Sequence, residues 1–186
     1  MPELPNPVPG RECGTCTYCC QYLPIDSEEI QLMPGTLCRN CDGKGCAIYE
    51  TRPAVCREYL CGWRMFGHFG DEWRPDKSGL LMTIVNDHIP AAYMPEGFDL
   101  LLVRAEQVLV WPPFIDFVFR AIKSRIPLFL SLPGPVGTFA AKIFLNTELE
   151  TKLRDRVEFL RTLNDLAQRL AKGPFPRVAF KHTKTP

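Results

Sequence analysis

The sequence Cys13-Gly14-Thr15-Cys16-Thr17-Tyr18-Cys19-Cys20 places four thiols within one short segment near the start of the chain. All nine cysteines of the 186-residue chain lie between Cys13 and Cys61. Clustered cysteines in a chain that stays in the reducing cytoplasm are typical of metal-binding or catalytic thiols and not of a disulfide framework. We therefore expect the first third of the chain to be organised around metal-bound sulfur. The cysteines outside the opening segment are Cys38, Cys41, Cys46, Cys56 and Cys61.

The composition favours one compact domain, or a domain with a small appendage. Hydrophobic residues make up 46% and charged residues 23% of the sequence, which excludes wholesale disorder. The formal net charge of +1 gives no electrostatic reason to bind duplex nucleic acid. No apolar run has the roughly 18 residues of a transmembrane helix, and the proline-rich segment 1–10 lacks the features of a secretory signal. We therefore expect a cytoplasmic protein without a membrane partner.

The spacing of the cysteines suits zinc or an iron–sulfur cluster, because thiolate sulfur is a soft ligand. Two pairs with a two-residue spacer, Cys13–Cys16 and Cys38–Cys41, resemble the usual zinc layout. The 21 residues between these pairs slightly exceed the usual interval. The run Cys13-x2-Cys16-x2-Cys19 also resembles the start of a ferredoxin-type motif, without its expected continuation. The spacing is therefore compatible with both a zinc site and an iron–sulfur cluster.

The adjacent thiols Cys19 and Cys20 leave the number of sites open. Neighbouring side chains point to opposite faces of an extended segment and diverge by about 100° in a helix. The two thiols therefore serve different sites, or one is a buried structural thiol. Nine thiols suit two four-cysteine sites with one left over, but one site with several core cysteines also fits. The cations interleaved with the thiols, which either balance thiolate charge or are solvated, are Arg39, Lys44, Arg52 and Arg57.

Two stretches of the sequence resemble the CxxCxxCC family of zinc- or iron-chelating proteins. The first is residues 13–20, and the second comprises residues 34–38, PGTLC, followed by the Gly45–Arg57 segment, GCAIYETRPAVCR. Together they span about residues 13–61. The cysteine motif is also similar to that of the flagellin lysine N-methylases, which does not transfer a methylase activity to this chain. The resemblance implies that the metal ligands are Cys13, Cys16, Cys19, Cys20, Cys46 and Cys56, with Cys38 close behind; it assigns no role to Cys41 or Cys61.

The apolar periodicity predicts an α+β fold, with a Cys-rich, metal-stabilised N-terminal half of short helices, followed by a small sheet and a long C-terminal helix. A capping box at Thr147–Glu150 would open that helix. Its predicted buried face comprises Leu149, Leu153, Val157, Leu160, Leu163, Ala167 and Leu170.

The predicted organisation is an extended Pro-rich tail over 1–12, a Cys-rich metal-binding region over 13–78, an α+β region packed on it over 79–173, and a basic tail over 174–186. Helices are predicted over 26–33, 53–60, 113–125 and 149–172, and strands over 79–85, 99–104, 128–132 and 137–145.

The sequence favours a metal-binding protein whose thiolate site is structural or handles metal. One alternative is an iron–sulfur enzyme, or enzyme component, performing redox or group-transfer chemistry. Another is a zinc-based module that binds protein or RNA. No catalytic residue is assigned, because the chain has no nucleotide-binding loop or hydrolase triad pattern, and the question of enzyme activity stays open. The expected cofactor is zinc or iron, a protein partner is left open, and the isolated histidines His68, His88 and His182 are not predicted ligands.

Overall fold

The computed structural model describes residues 6–180 and has an α+β fold. Its strands are β1 (Ile25–Asp26), β2 (Gln31–Leu32), β3 (Leu80–Val85), β4 (Gly97–Leu102), β5 (Leu128–Leu132) and β6 (Ala141–Phe144). Its α-helices are α1 (Cys19–Tyr22), α2 (Ala54–Glu58), α3 (Gly62–Met65), α4 (Pro75–Ser78), α5 (Ala105–Val108), α6 (Pro112–Lys123), α7 (Asn146–Leu149) and α8 (Arg156–Ala171). Single 3₁₀ turns cover Tyr49–Thr51, Asp71–Trp73 and Glu150–Lys152.

The main sheet has four strands in the order β3-β4-β5-β6. Strands β4 and β5 are parallel, and the two outer pairs are antiparallel. Parallel neighbours need a crossover connection, which here contains α5 and α6. All five residues of β5 are buried, so this strand lies in the centre of the domain. The strands predicted over 79–85, 99–104 and 128–132 are confirmed with small shifts at their ends, whereas the strand predicted over 137–145 is confined to Ala141–Phe144.

The two faces of the sheet have different neighbours. Helix α6 packs against β5, and α8 packs against β5 and β6. Alternate strand residues such as Leu80, Leu100 and Leu130 join these helices in one buried core. The other face of β3 lies toward the cysteine-rich region, where the Tyr59 hydroxyl is 2.9 Å from Oγ1 of Thr83. The cysteine-rich region therefore packs against the face of β3 that is opposite the main core.

The helix predicted over 26–33 is wrong, because this segment forms a hairpin of β1 and β2. Ser27 closes its turn: the Ser27 hydroxyl donates to the Ile30 carbonyl at 3.0 Å and accepts from the Ile30 N–H at 3.1 Å. Local side-chain bonds of this kind compete with a helix for the backbone groups. The hairpin buries Ile30 and Leu32. By contrast, α2 confirms the helix predicted from Pro53.

The long C-terminal helix is confirmed, but it begins at Arg156 and not at 149. The Asp155 carboxylate accepts from the N–H groups of Val157 and Glu158, which makes it the N-cap. The preceding segment is held elsewhere, because the buried Asn146 side chain accepts from the Leu128 N–H at 2.8 Å. The predicted capping box therefore does not form, since its residues belong to α7 and the following 3₁₀ turn.

The cysteine-rich segment 13–61 contains little regular structure. Its buried aliphatic side chains are Ile30 and Leu32, and its α-helices are four and five residues long. Isolated helices of this length are not stable in water. Further along, residues 175–178 of the basic tail run beside 137–139, where the Phe139 N–H donates to the Pro176 carbonyl at 2.8 Å. Within residues 6–180, none of the helices has the length and apolar character required to cross a membrane.

Candidate metal centre

Seven cysteines line one cavity with a volume of about 140 Å³, which we call the main cavity. They come from the opening segment, the loop after β2, the segment before the first 3₁₀ turn, and α2. This set is the one predicted from the sequence and the family resemblance. Its members are Cys13, Cys16, Cys19, Cys20, Cys38, Cys46 and Cys56.

A backbone turn brings the first two thiols, Cys13 and Cys16, to the wall of the main cavity. The Cys16 N–H donates to the Cys13 carbonyl at 2.9 Å, which closes the first turn. Gly45 packs against this turn with φ +149°, and a Cβ there would lie 2.7 Å from the Gly14 carbonyl oxygen. Only glycine permits this close approach. The contact places the segment that carries Cys46 beside the first turn.

The second two-residue pair divides its roles. The Cys41 N–H donates to the Cys38 carbonyl at 2.9 Å, in the same kind of turn. Cys38 lines the main cavity, whereas Cys41 forms an isolated bridge with the backbone of Cys46 and does not line it. The structure therefore does not place Cys38 and Cys41 on the same cavity wall, as the usual zinc spacing had predicted. Cys38 instead meets the thiols of the opening segment.

An eighth thiol, Cys61, faces a smaller cavity of about 30 Å³ next to the main one. This small cavity is also lined by Leu81 on the back of β3. The family resemblance assigned no role to Cys61, and its only signal in the sequence is its membership of the cysteine cluster. The thiols on the wall of the small cavity are Cys13, Cys16, Cys19, Cys56 and Cys61.

Burial keeps most of these thiols protonated near neutral pH. It raises the pKa of Cys16 to about 11, and it raises the pKa values of Cys46, Cys56 and Cys61. The Cys19 and Cys20 sulfurs lie 4.0 Å apart, so these neighbours converge and do not diverge as expected. Their contact raises the pKa of Cys19 and lowers the pKa of Cys20 to about 7.

Two arginines supply positive charge beside the thiols. Arg64 is only 8% exposed, and its Nη1 lies 4.0 Å from the Cys13 sulfur. Within residues 6–180, no ion pair joins Arg64 to a carboxylate. A buried cation needs a compensating anion, and a Cys13 thiolate would provide it. Arg52 lines the main cavity and stacks 3.7 Å from the centre of the Tyr49 ring.

The sequence singled out Arg52 as one of four candidate cations, but it gave no reason to select Arg64. The other three, Arg39, Lys44 and Arg57, line neither cavity. His68 and His88 also line neither, and His182 lies outside the described residues. The Trp63 indole N–H is buried at the small cavity without a hydrogen-bond partner in the described part of the chain.

The donor set fits zinc or iron–sulfur chemistry, because the ligands gathered are all sulfur. None of the nine cysteines, all of which are described, forms a disulfide. No group of three or more His, Cys, Asp or Glu side chains within residues 6–180 is already spaced to hold an ion. Metal binding would therefore have to draw the sulfurs together.

Comparison of the chain with protein-family models, curated proteins and solved structures gives no match. The resemblance of residues 13–20, 34–38 and 45–57 to the CxxCxxCC family therefore stays a prediction. The assignment of a function depends on the site alone, that is, on seven predicted thiols around one cavity and an eighth beside it.

Proposed function

We propose that this chain is a cysteine-cluster metal-binding protein that holds zinc or iron, as an ion or an iron–sulfur cluster, at a structural or metal-handling site. The observation that carries the proposal is the convergence of distant thiols. Cys13 and Cys56 are far apart in the sequence, yet both line the main cavity. Free cysteines that merely filled a core would have no reason to share one wall.

The residues that would hold the metal are the seven thiols of the main cavity. As thiolates they need hydrogen-bond donors or cations nearby, since an uncompensated buried charge is costly. Arg64 and Arg52 provide this positive charge. When bound, the metal would cross-link segments that are otherwise joined by loops. The proposed metal therefore acts first on the stability of residues 13–61.

The wall of the main cavity favours a structural or metal-handling role over catalysis. Apart from the thiols, it is lined by aliphatic side chains such as Leu23 and Ile48, and by a few polar groups such as Asn40 and Tyr59. Among the described residues, no histidine or carboxylate lines it. Histidine and the carboxylates, the commonest general acids and bases, are thus absent from this wall. An iron–sulfur enzyme component is the alternative, and it would be brown when purified without oxygen, whereas a zinc protein is colourless.

Replacing Cys56 with serine is expected to weaken metal binding at least about tenfold, because even groups that only support a ligand change affinity by 10–100-fold. Cys56 lines both cavities, whereas Cys41 lines neither, so Cys41→Ser is the matched control. Metal content and competition with a chelator would be measured on proteins purified without oxygen. Unchanged affinity in Cys56→Ser would contradict the proposal, as would equal losses in the two variants.

Metal affinity is also expected to fall as the pH falls. Burial raises the pKa of Cys16 to about 11, so this thiol is protonated at neutral pH and metal must displace its proton. Each displaced proton lowers the affinity about tenfold for every pH unit of acidification. Zinc competition titrations at about pH 6, 7 and 8 would measure the slope, with Cys41→Ser expected to match the wild type. A flat pH profile would show that the ligands are not protonated thiols.

A further inference from the structure

Four thiols gather on the Arg64 side of the site. Cys61 caps α3, and the Arg64 side chain of the same helix reaches back to the opening segment. Its Nε donates to the Arg11 carbonyl at 3.1 Å, and its Nη1 lies 4.0 Å from the Cys13 sulfur. Cys61 shares the wall of the small cavity with Cys13 and Cys16. This first set, on the wall of the small cavity, is Cys13, Cys16, Cys19 and Cys61; Cys56 lines the same wall and the main cavity as well.

Four other thiols gather on the Arg52 side. The Cys38 N–H donates to the Cys20 carbonyl at 2.8 Å, which holds these two residues together. Cys20, Cys38 and Cys46 line the main cavity and not the small one. Cys56 lines both cavities, but Pro53 and Val55 beside it line only the main one. The Glu29 carboxylate accepts from the Ala54 N–H at 3.1 Å and so fixes the start of α2. This second set is Cys20, Cys38, Cys46 and Cys56.

Each set has its own cation. Arg64 lines the small cavity and not the main one, whereas Arg52 lines the main cavity and not the small one. Four thiolates around a divalent ion leave a net negative charge, which a nearby guanidinium would partly balance. Two separate groups of thiolates would each need a nearby cation, and Arg64 and Arg52 provide one for each group. A single centre would leave one of the arginines without this role.

The boundary between the sets passes between Cys19 and Cys20. Cys19 lines the small cavity with Cys13 and Cys16 of the first set, whereas Cys20 does not, and the Cys20 carbonyl accepts from the Cys38 N–H of the second set. Their sulfurs touch at 4.0 Å, so the two sets are neighbours. The main cavity accordingly has members of both sets on its wall. Cys41, which lines neither cavity, is the one cysteine left over.

We infer that the chain holds two adjacent metal centres, one bound by Cys13, Cys16, Cys19 and Cys61 and the other by Cys20, Cys38, Cys46 and Cys56. This inference rests on the proposed function and adds the number of centres and the ligands of each. It explains why two cysteines stand side by side in the opening segment, because each serves a different centre. It also gives Cys61 a role as the fourth ligand of the first centre.

The test compares Cys61→Ser, Cys46→Ser, their double variant and the control Cys41→Ser with the wild type. Zinc and iron per chain would be measured after purification without oxygen. Each single variant is expected to keep half of the wild-type metal content, the double variant to keep none, and Cys41→Ser to keep all of it. A wild type without metal would overturn the proposed function itself. A wild type with metal whose content is unchanged in Cys61→Ser, or lost completely in either single variant, would overturn only the division into two centres.

Alkylation of the metal-loaded proteins distinguishes a lost centre from a misfolded chain. In the wild type, Cys41 is expected to react with iodoacetamide while the other eight thiols are protected. In Cys61→Ser, peptide mass spectrometry should find Cys13, Cys16 and Cys19 newly labelled. Labelling of Cys20, Cys38, Cys46 and Cys56 at the same rate in that variant would contradict two independent centres. In Cys46→Ser the pattern of protection is expected to be reversed.

Discussion

Removal of the metal is expected to unfold residues 13–61 while the four-stranded sheet stays folded. Among the residues of this segment, Ile30 and Leu32 are the buried aliphatic side chains, which is too little apolar burial to offset the entropy of ordering the chain. Structural zinc in small domains contributes about 10–16 kcal/mol to folding. The main core lies on the other face of the sheet, between the strands and helices α6 and α8. Loss of the metal should therefore act locally.

Trypsin digestion with and without a chelator measures this effect. The metal-loaded protein is expected to resist cleavage within 13–61, and the chelated protein is expected to be cut there while a fragment containing the sheet survives. Adding metal back before the protease is the control for damage by the chelator. Equal resistance of the segment in both states would contradict a stabilising metal. The cleavage sites in the segment are Arg39, Lys44 and Arg57, because trypsin does not cut the Arg52–Pro53 bond.

The variant Phe159→Ala is expected to lower the free energy of unfolding by about 3–5 kcal/mol, the usual cost of deleting a buried aromatic ring. Phe159 is fully buried, and its ring centre lies 5.1 Å from that of Phe119. Val157, two residues earlier in the same helix, is 69% exposed, so Val157→Ala is the matched control, with an expected change within about 0.5 kcal/mol. Urea unfolding of the metal-loaded protein, followed by far-UV circular dichroism, would measure both. Comparable losses in the two variants would show that α8 buries a different face.

This pair of variants also distinguishes between two buried faces of α8: the one that the periodicity predicts and the one that the structure has. The predicted face contained Val157 and omitted Phe159, because it was counted from a helix that began near 149. The observed helix begins after the Asp155 cap. Leu163, Ala167 and Leu170 are buried as predicted. The predicted face also included Leu160, which is half-buried, and omitted Leu166, which is buried. The buried side chain of Asn146, which binds the backbone of Leu128, is a tertiary contact that no local pattern reveals.

The sheet could be predicted well because its signal is local. Strand β5 has the predicted bounds, since a short apolar run ends there at Pro133-Gly134. The hairpin of β1 and β2 could not be predicted in the same way. Its sequence contains a helix-start pattern around Asp26, and a competing bond from Ser27 to Ile30 prevents the helix. Local preference predicted the wrong structure where side-chain bonds and burial of Ile30 were stronger.

The seven thiols of the main cavity were also accessible from the sequence, because the family resemblance selects them; spacing alone favoured Cys41 as the partner of Cys38. The contribution of Cys61 and Arg64 to the site could not be predicted from the sequence. Both residues reach the opening segment only through the fold, when the Arg64 guanidinium binds the Arg11 carbonyl. No sequence pattern joins residues so far apart. The separation of the thiols into two sets depends on the same long-range contacts.

X-ray absorption at the edge of the bound metal tests the central claim most directly, because it identifies the atoms bonded to that metal. On protein purified without oxygen, we expect the nearest neighbours of zinc or iron to be sulfur, at about 2.3 Å. The same measurement on Cys41→Ser is expected to give an identical spectrum. Nearest neighbours that are mainly oxygen or nitrogen, or a protein with no metal to measure, would contradict the account.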